Sequence, residues 1–347
     1  MIRSSTQIKG LCIDVPDATH RVTLSLFTDD VAVFLAEDNS PEALFNLLDK
    51  WCLTSGAKFN KNKTVIIPVG SPDYRKSISD SQKLNASTNL PFEDSIHILR
   101  DGEPTRYLGT QIGNQLSGNE PWPKIIEDIE ASLNQWQKAF PSIEGRKHII
   151  QMVIGSKTQF ITAMQGMPSK YEDYLNKRIR SFLWNSDTPP PMATQLLSES
   201  HQKGGINVLD IKARNEAINI MKLKKLADYS PNHPIASDAA LEIVIASTKL
   251  PNPPCPKDGP SIRDFLIQST TKSQKLPQKN LLTDLKSILK TGSKYNLTLD
   301  APCFSLTHKM NLPAWFHIGK DPKAPMREHK KTSKCLWNTH KVRTVYN

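Results

Sequence analysis

The chain has 347 residues, 45 Lys+Arg against 34 Asp+Glu for a formal net charge of +11, and 38% hydrophobic residues. That is enough apolar material for a buried core and enough length for two or three domains of roughly 100–200 residues. No apolar run approaches the ~20 residues of a membrane span, and the start, Met1-Ile2-Arg3-Ser4-Ser5, leads into no apolar signal segment. Five scattered cysteines (Cys12, Cys52, Cys255, Cys303, Cys335) argue against a disulfide scaffold and predict an intracellular, reducing setting, nucleus or cytoplasm, with no membrane partner. The charge is unevenly placed. Residues 271–347 hold 15 Lys+Arg and 4 Asp+Glu, so the excess lies there and the first 270 residues balance at 30 of each. A solvated tail and an electrostatic contact with nucleic acid both fit that composition.

The first hundred or so residues alternate like strands. Ile8 to Ile13 and Val22 to Phe27 are short β-branched or alternating runs; Asp29-Asp30 interrupts, and Val31 to Leu35 resumes, which predicts a β-hairpin. Ser40-Pro41-Glu42 carries a helix start: a capping hydroxyl, a proline in the first turn and an early acid. Leu44, Leu47, Leu48, Trp51 and Cys52 follow at helical spacing, with Gly56 as the stop. Thr64 to Val69 and Tyr107 to Ile112 read as further strands, so residues 1–115 are predicted to be a sheet with a helix across it.

From Trp122 the period lengthens. Trp122, Ile125, Ile126, Ile129, Leu133 and Trp136 form one helical stripe, and both tryptophans are expected in the core rather than stacked on bases. Further helices are predicted over 147–164, 171–184 and 210–226, the last two carrying Lys177, Arg178, Arg180 and Lys222, Lys224, Lys225. Breaks fall at 187–191 and 201–205. Residues 116–228 thus predict a helical bundle. Between 230 and 261 there are seven prolines, and apart from a short helix near 281–289, residues 229–347 are expected to be a proline-rich linker and an irregular basic tail. The fold class expected is α+β. Cys303-x4-His308 and Cys335-x4-His340 lack the Cys-x-x-Cys pair of a zinc knuckle and read as free cysteines and stray histidines.

Two carboxylates on a tight turn can hold metal ions that clamp both oxygens of a phosphoryl displacement, although Asp is also an ordinary turn residue. Here the flanks are specific. Leu24-Ser25-Leu26-Phe27-Thr28-Asp29-Asp30-Val31-Ala32-Val33-Phe34 resembles the aspartate-pair motif of reverse transcriptases, with Thr28 in the position usually held by alanine. Ser55-Gly56-Ala57-Lys58-Phe59-Asn60-Lys61-Asn62-Lys63-Thr64 resembles the segment after the palm helix of non-LTR retrotransposon polymerases, and Arg106-Tyr107-Leu108-Gly109-Thr110-Gln111-Ile112-Gly113 resembles their primer-gripping strand. Trp136, Gly145-Arg146, Met167-Pro168, Phe182-Leu183-Trp184 and Gly204-Gly205-Ile206 follow in the order seen after that palm. Over residues 8–227 the chain resembles a LINE-like, non-LTR retrotransposon reverse transcriptase.

The resemblance implies an RNA-directed DNA polymerase working by two-metal phosphoryl transfer on an RNA template and a DNA primer. Asp29 would be the Mg²⁺ ligand, Asp30 its neighbour, Lys63 a proton donor to pyrophosphate or simply a solvated lysine, and Tyr107, Leu108 and Gly109 the primer grip. The six basic residues above would follow the duplex backbone. In the family a first metal-binding aspartate lies on a separate strand many tens of residues upstream. Here 28 residues precede Asp29, and Asp14 and Asp17 are the acids among them. The expectation is a partial palm, inactive alone, and the alternative is a non-catalytic nucleic-acid-binding remnant or truncated product.

Overall fold

Local chemistry explains the first helix starts in this computed structural model, which describes residues 1–15, 18–85, 91–186, 192–226, 228, 233–247, 283–295, 310 and 331–342. Helix α1 (Pro41–Ser55) starts where the Ser40 hydroxyl accepts from the Ala43 amide and ends at Gly56, left-handed at φ 72. Helix α2 (Pro72–Ser81) repeats the device, with Ser71 accepting from the Tyr74 amide. The chain forms two compact units: Met1–Cys12 with Arg21–Asn215, and Ile13–His20 with Glu216–Asn347.

Among the described residues the strands occur as four separate two-stranded pairs, not as the single sheet expected. They are β1 (Leu11–Val15) with β2 (Ala18–Val22), and β3 (Leu24–Phe27) antiparallel to β4 (Asp30–Val33). β5 (Val65–Ile66) lies parallel to β6 (His97–Ile98), and β7 (Thr105–Tyr107) antiparallel to β8 (Thr110–Ile112). The run 107–112 is therefore a hairpin rather than one strand. Leu108 and Gly109 both take positive φ, 46 and 82, the geometry of a primed two-residue turn.

The buried Asn39 organises the approach to α1. Its Oδ1 accepts from the amides of Lys9 at 3.0 Å and Ala36 at 3.0 Å, tying the start of the chain to the end of the β3–β4 ribbon. Gly10 is required beside it: φ is 74, and a Cβ would lie 2.5 Å from the Val22 carbonyl oxygen. A small core of Ile78, Leu84 and Phe92, joined by Leu35, Ile66, Tyr74 and Ile98, covers α2 and the β5–β6 pair.

The main core of the first unit is helical. α3 (Trp122–Gln137), α4 (Ile143–Ile150), α5 (Ser156–Gln165), α6 (Ser169–Trp184), the short α7 (Thr194–Ser198) and the start of α8 (Ile211–Leu226) surround Ile129, Leu133, Ile150, Ile154, Leu175, Ile179, Phe182 and Ile211. The second predicted helix begins earlier than expected, at Ile143, and Gln151–Gly155 forms a π-helical turn joining α4 to α5. Trp122 is fully buried and stacked on Tyr171 at 5.5 Å, but Trp136, expected in the core, is exposed.

In the second unit Leu223 packs on Ile288 and Leu289 of α10 (Thr283–Lys294). α9 (Ile235–Ser247) brings the buried Asp238 to His233, 2.8 Å, and to His20, 3.3 Å. A further helix, α11, spans Lys331–Asn338. Among the described residues beyond 229, α10 falls where a short helix was expected near 281–289, and α9 and α11 are helices that were not expected. Asp17, the break at 187–191, six of the seven prolines between 230 and 261 (all but Pro234), Cys255, Cys303, His308, His317, His329 and Arg343 lie outside the described residues. Cys12, Cys52 and Cys335 are free, and no helix among the described residues is long and apolar enough to cross a membrane.

Candidate functional site

The β3–β4 register pairs Phe27 with Asp30, so the turn consists of Thr28 and Asp29 alone. Thr28 takes φ 51, a left-handed conformation in which a β-branched residue is an outlier. Its hydroxyl donates to Asp29 Oδ1 at 2.9 Å. That bond, with the Asp29 backbone amide and the positive charge of Lys63, holds the Asp29 carboxyl below its ordinary range. Lys63 sits at the end of a short 3₁₀ turn (Lys61–Lys63) after α1, 34 residues downstream in sequence, and its charge reaches the hairpin tip. Asp30 begins β4 and is exposed, like Asp29.

The ribbon offers Leu26 at 58% and Phe27 at 60% exposure, so an acidic tip stands on an apolar shaft. Leu26 faces Val31 across the strands, and that pair is also exposed.

Tyr107, Leu108 and Gly109 lie on the second hairpin, which is seated on α5. Gln165 Nε2 donates to the Gln111 carbonyl, and a Cβ on Gly109 would lie 3.1 Å from the Phe160 ring. The Tyr107 hydroxyl is buried without a hydrogen-bond partner in the structure.

The basic candidates differ in what they are free to do. Lys177 is exposed on α6. Arg178 is committed: its Nε lies 3.0 and 2.9 Å from the Glu130 oxygens, and its Nη2 donates to Asn134 at 3.2 Å, pinning α6 to α3. Arg180 donates back to the Asn176 carbonyl at 3.4 Å. Lys222 is half-buried, and burial pushes its ammonium pKa down, partly opposed by Asp284. Lys224 and Lys225 are exposed. The first three belong to one unit and the last three to the other.

Sequence reasoning missed Glu130 and Arg214. Arg214 donates to Thr158 Oγ1 at 2.8 Å and to the Gly155 carbonyl at 3.3 Å, beside the π-helical turn. No sequence signal marks this, because a π turn shows only in the backbone.

Among the described residues no group of three or more His, Cys, Asp or Glu side chains could hold a metal ion. Two carboxylates on one turn do not by themselves meet the oxygen-ligand demand of a Mg²⁺ pair, so the residues described do not fit that group. No family model matches the chain, and no curated protein matches it.

Proposed function

We propose that this chain is the aspartate-pair part of a palm and the thumb-like region of a reverse transcriptase of non-LTR retrotransposon type, and that its own residues hold an RNA template–DNA primer duplex. The observation that carries the reading is the tip of the β3–β4 hairpin, where a two-residue turn, Thr28-Asp29, sets the aspartate pair between two short strands. Lys63, on the turn after the next helix and singled out by the same resemblance, adds the smallest of the influences that lower the Asp29 carboxyl. The succession of hairpin, α1, 3₁₀ turn, second hairpin and helical bundle supports it as well.

In this reading the β3–β4 tip lies at the primer end. Asp29 is kept ionised by the Thr28 hydroxyl and by Lys63, and Phe27 and Thr28 shape the turn. In the first unit Lys177 and Arg180 supply phosphate contacts and Arg178 holds the bundle's shape; in the second, Lys224 and Lys225 supply phosphate contacts of their own. Duplex binding is the activity that this set of residues supports. Catalysis in the family needs a further carboxylate beside Asp29, which the described residues do not supply, so the non-catalytic binding role is favoured for these residues.

The test is affinity for a labelled RNA–DNA hybrid across salt concentrations. Each phosphate contact contributes a slope of about −0.9 in log affinity against log salt for B-form DNA. Lys177→Ala and Lys225→Ala should each flatten the slope by about one. A salt-independent affinity, or variants with the parent slope, would remove the reading.

A further inference from the structure

α1 carries a tryptophan where its own stripe predicts core. Leu44, seven residues earlier on the same face, is buried, yet Trp51 is 43% exposed. The chain leaving α1 at Gly56 runs back beside the helix: Phe59 meets Trp51 with ring centroids 5.3 Å apart and planes at 41°, and the Lys61 ammonium lies 6.0 Å from the Phe45 ring centre. Phe59 thus braces one side of the indole and leaves part of it open to solvent.

The charges around this aromatic pair are mostly positive. Lys50 precedes Trp51, Lys58 precedes Phe59, and Lys61 and Lys63 follow within four residues. Lys61 is engaged by Glu93 at 2.6 Å and feels Asp49. Lys50 and Lys58 are exposed and make no ion pair with a described residue. A braced, half-open indole with free ammonium groups on both flanking segments has the chemistry of a stacking platform. The ring accepts a base face, and the lysines meet the phosphates on either side.

We propose that Trp51, braced by Phe59 and flanked by Lys50 and Lys58, binds an unpaired nucleic-acid strand by stacking on a base. These residues are other than the duplex-contact residues of α6 and α8, and they take a different ligand. A duplex keeps its base faces covered, so it gains nothing from an exposed indole. Arginine is absent from the patch, so phosphate recognition here is by point charges and carries no sequence code.

The experiment uses the full chain and fluorescently labelled oligo(U) and oligo(dT) of about ten nucleotides, near the span of a single-strand site, alongside an RNA–DNA hybrid. Trp51→Ala should weaken oligonucleotide binding by about tenfold, as removal of a stacking aromatic does, and leave hybrid affinity unchanged. Trp51→Phe should restore most of it, and Lys58→Gln should flatten the oligonucleotide salt slope by about 0.7. Tighter binding of oligo(U) than of oligo(dT) would name RNA as the strand, and the reverse would name DNA. Unchanged oligonucleotide affinity in Trp51→Ala, equal loss on both ligands, or no oligonucleotide binding by the parent chain would overturn the proposal. A parent that binds oligonucleotides but not the hybrid would remove the duplex reading and leave this one standing.

Discussion

Thr28 holds a left-handed conformation that β-branched residues rarely adopt, and its hydroxyl uses that conformation to donate to Asp29. Thr28→Val keeps the shape and removes the donor. The Asp29 carboxyl should then titrate at higher pH than in the parent, because the largest influence lowering it is gone; carbonyl NMR of the Asp29 side chain reads this directly. Asp101 gives the stability counterpart. Arg75 grips it at 2.7 and 2.6 Å and depresses its carboxyl pKa. A depressed carboxylate stabilises above its unfolded value and loses that contribution as pH falls through the folded one. Acid unfolding of the parent should therefore steepen below about pH 4, the unfolded aspartate value, and Asp101→Asn should make it less steep by the share that Asp101 contributes. Neighbouring residues on α6 separate two roles. Arg178→Ala strands the half-buried Glu130 and should cost about 1–3 kcal/mol in urea unfolding. Lys177→Ala should change stability by less than about 0.5 kcal/mol while weakening the hybrid complex.

At the scale of elements, α1 was readable in advance because its signals are local: Ser40 caps, Pro41 fits the first turn, and Gly56 takes the left-handed stop. The β3–β4 hairpin was readable for the same reason, since Asp29-Asp30 interrupts two apolar runs. The second hairpin was not. Nothing in Tyr107-Leu108-Gly109-Thr110 announces that a leucine will take φ 46, and the turn is held from outside by Gln165 and Phe160 of α5. Gly109→Ala meets both constraints. The half-exposed Phe160 can give way, so the backbone conformation dominates, at about 1–2 kcal/mol, measured as a lowered urea midpoint. Trp136 failed as a core prediction for a related reason: periodicity states which residues share a face, and burial depends on whether another element covers it. The influence of Lys63 on the Asp29 carboxyl is likewise a tertiary effect, which the order of residues along the chain does not state.

For the whole molecule, the helical stripes found in the sequence account for the main core of the first unit, whereas the strands' partners could not be read, since pairing is non-local. The structure resolves the expected sheet into four pairs. The bundle should therefore dominate stability. Leu133→Ala, at a fully buried position, should cost about 2–5 kcal/mol, far more than any change on the exposed β3–β4 ribbon. The central claim is that the aspartate hairpin lies at the end of a primer. The most direct measurement places a photoreactive base at the primer 3′ end of an RNA–DNA hybrid, cross-links it to the full chain and maps the modified peptide. Cross-links are expected within residues 24–33 or 105–112. Cross-links confined to other segments, such as 331–342, would contradict it.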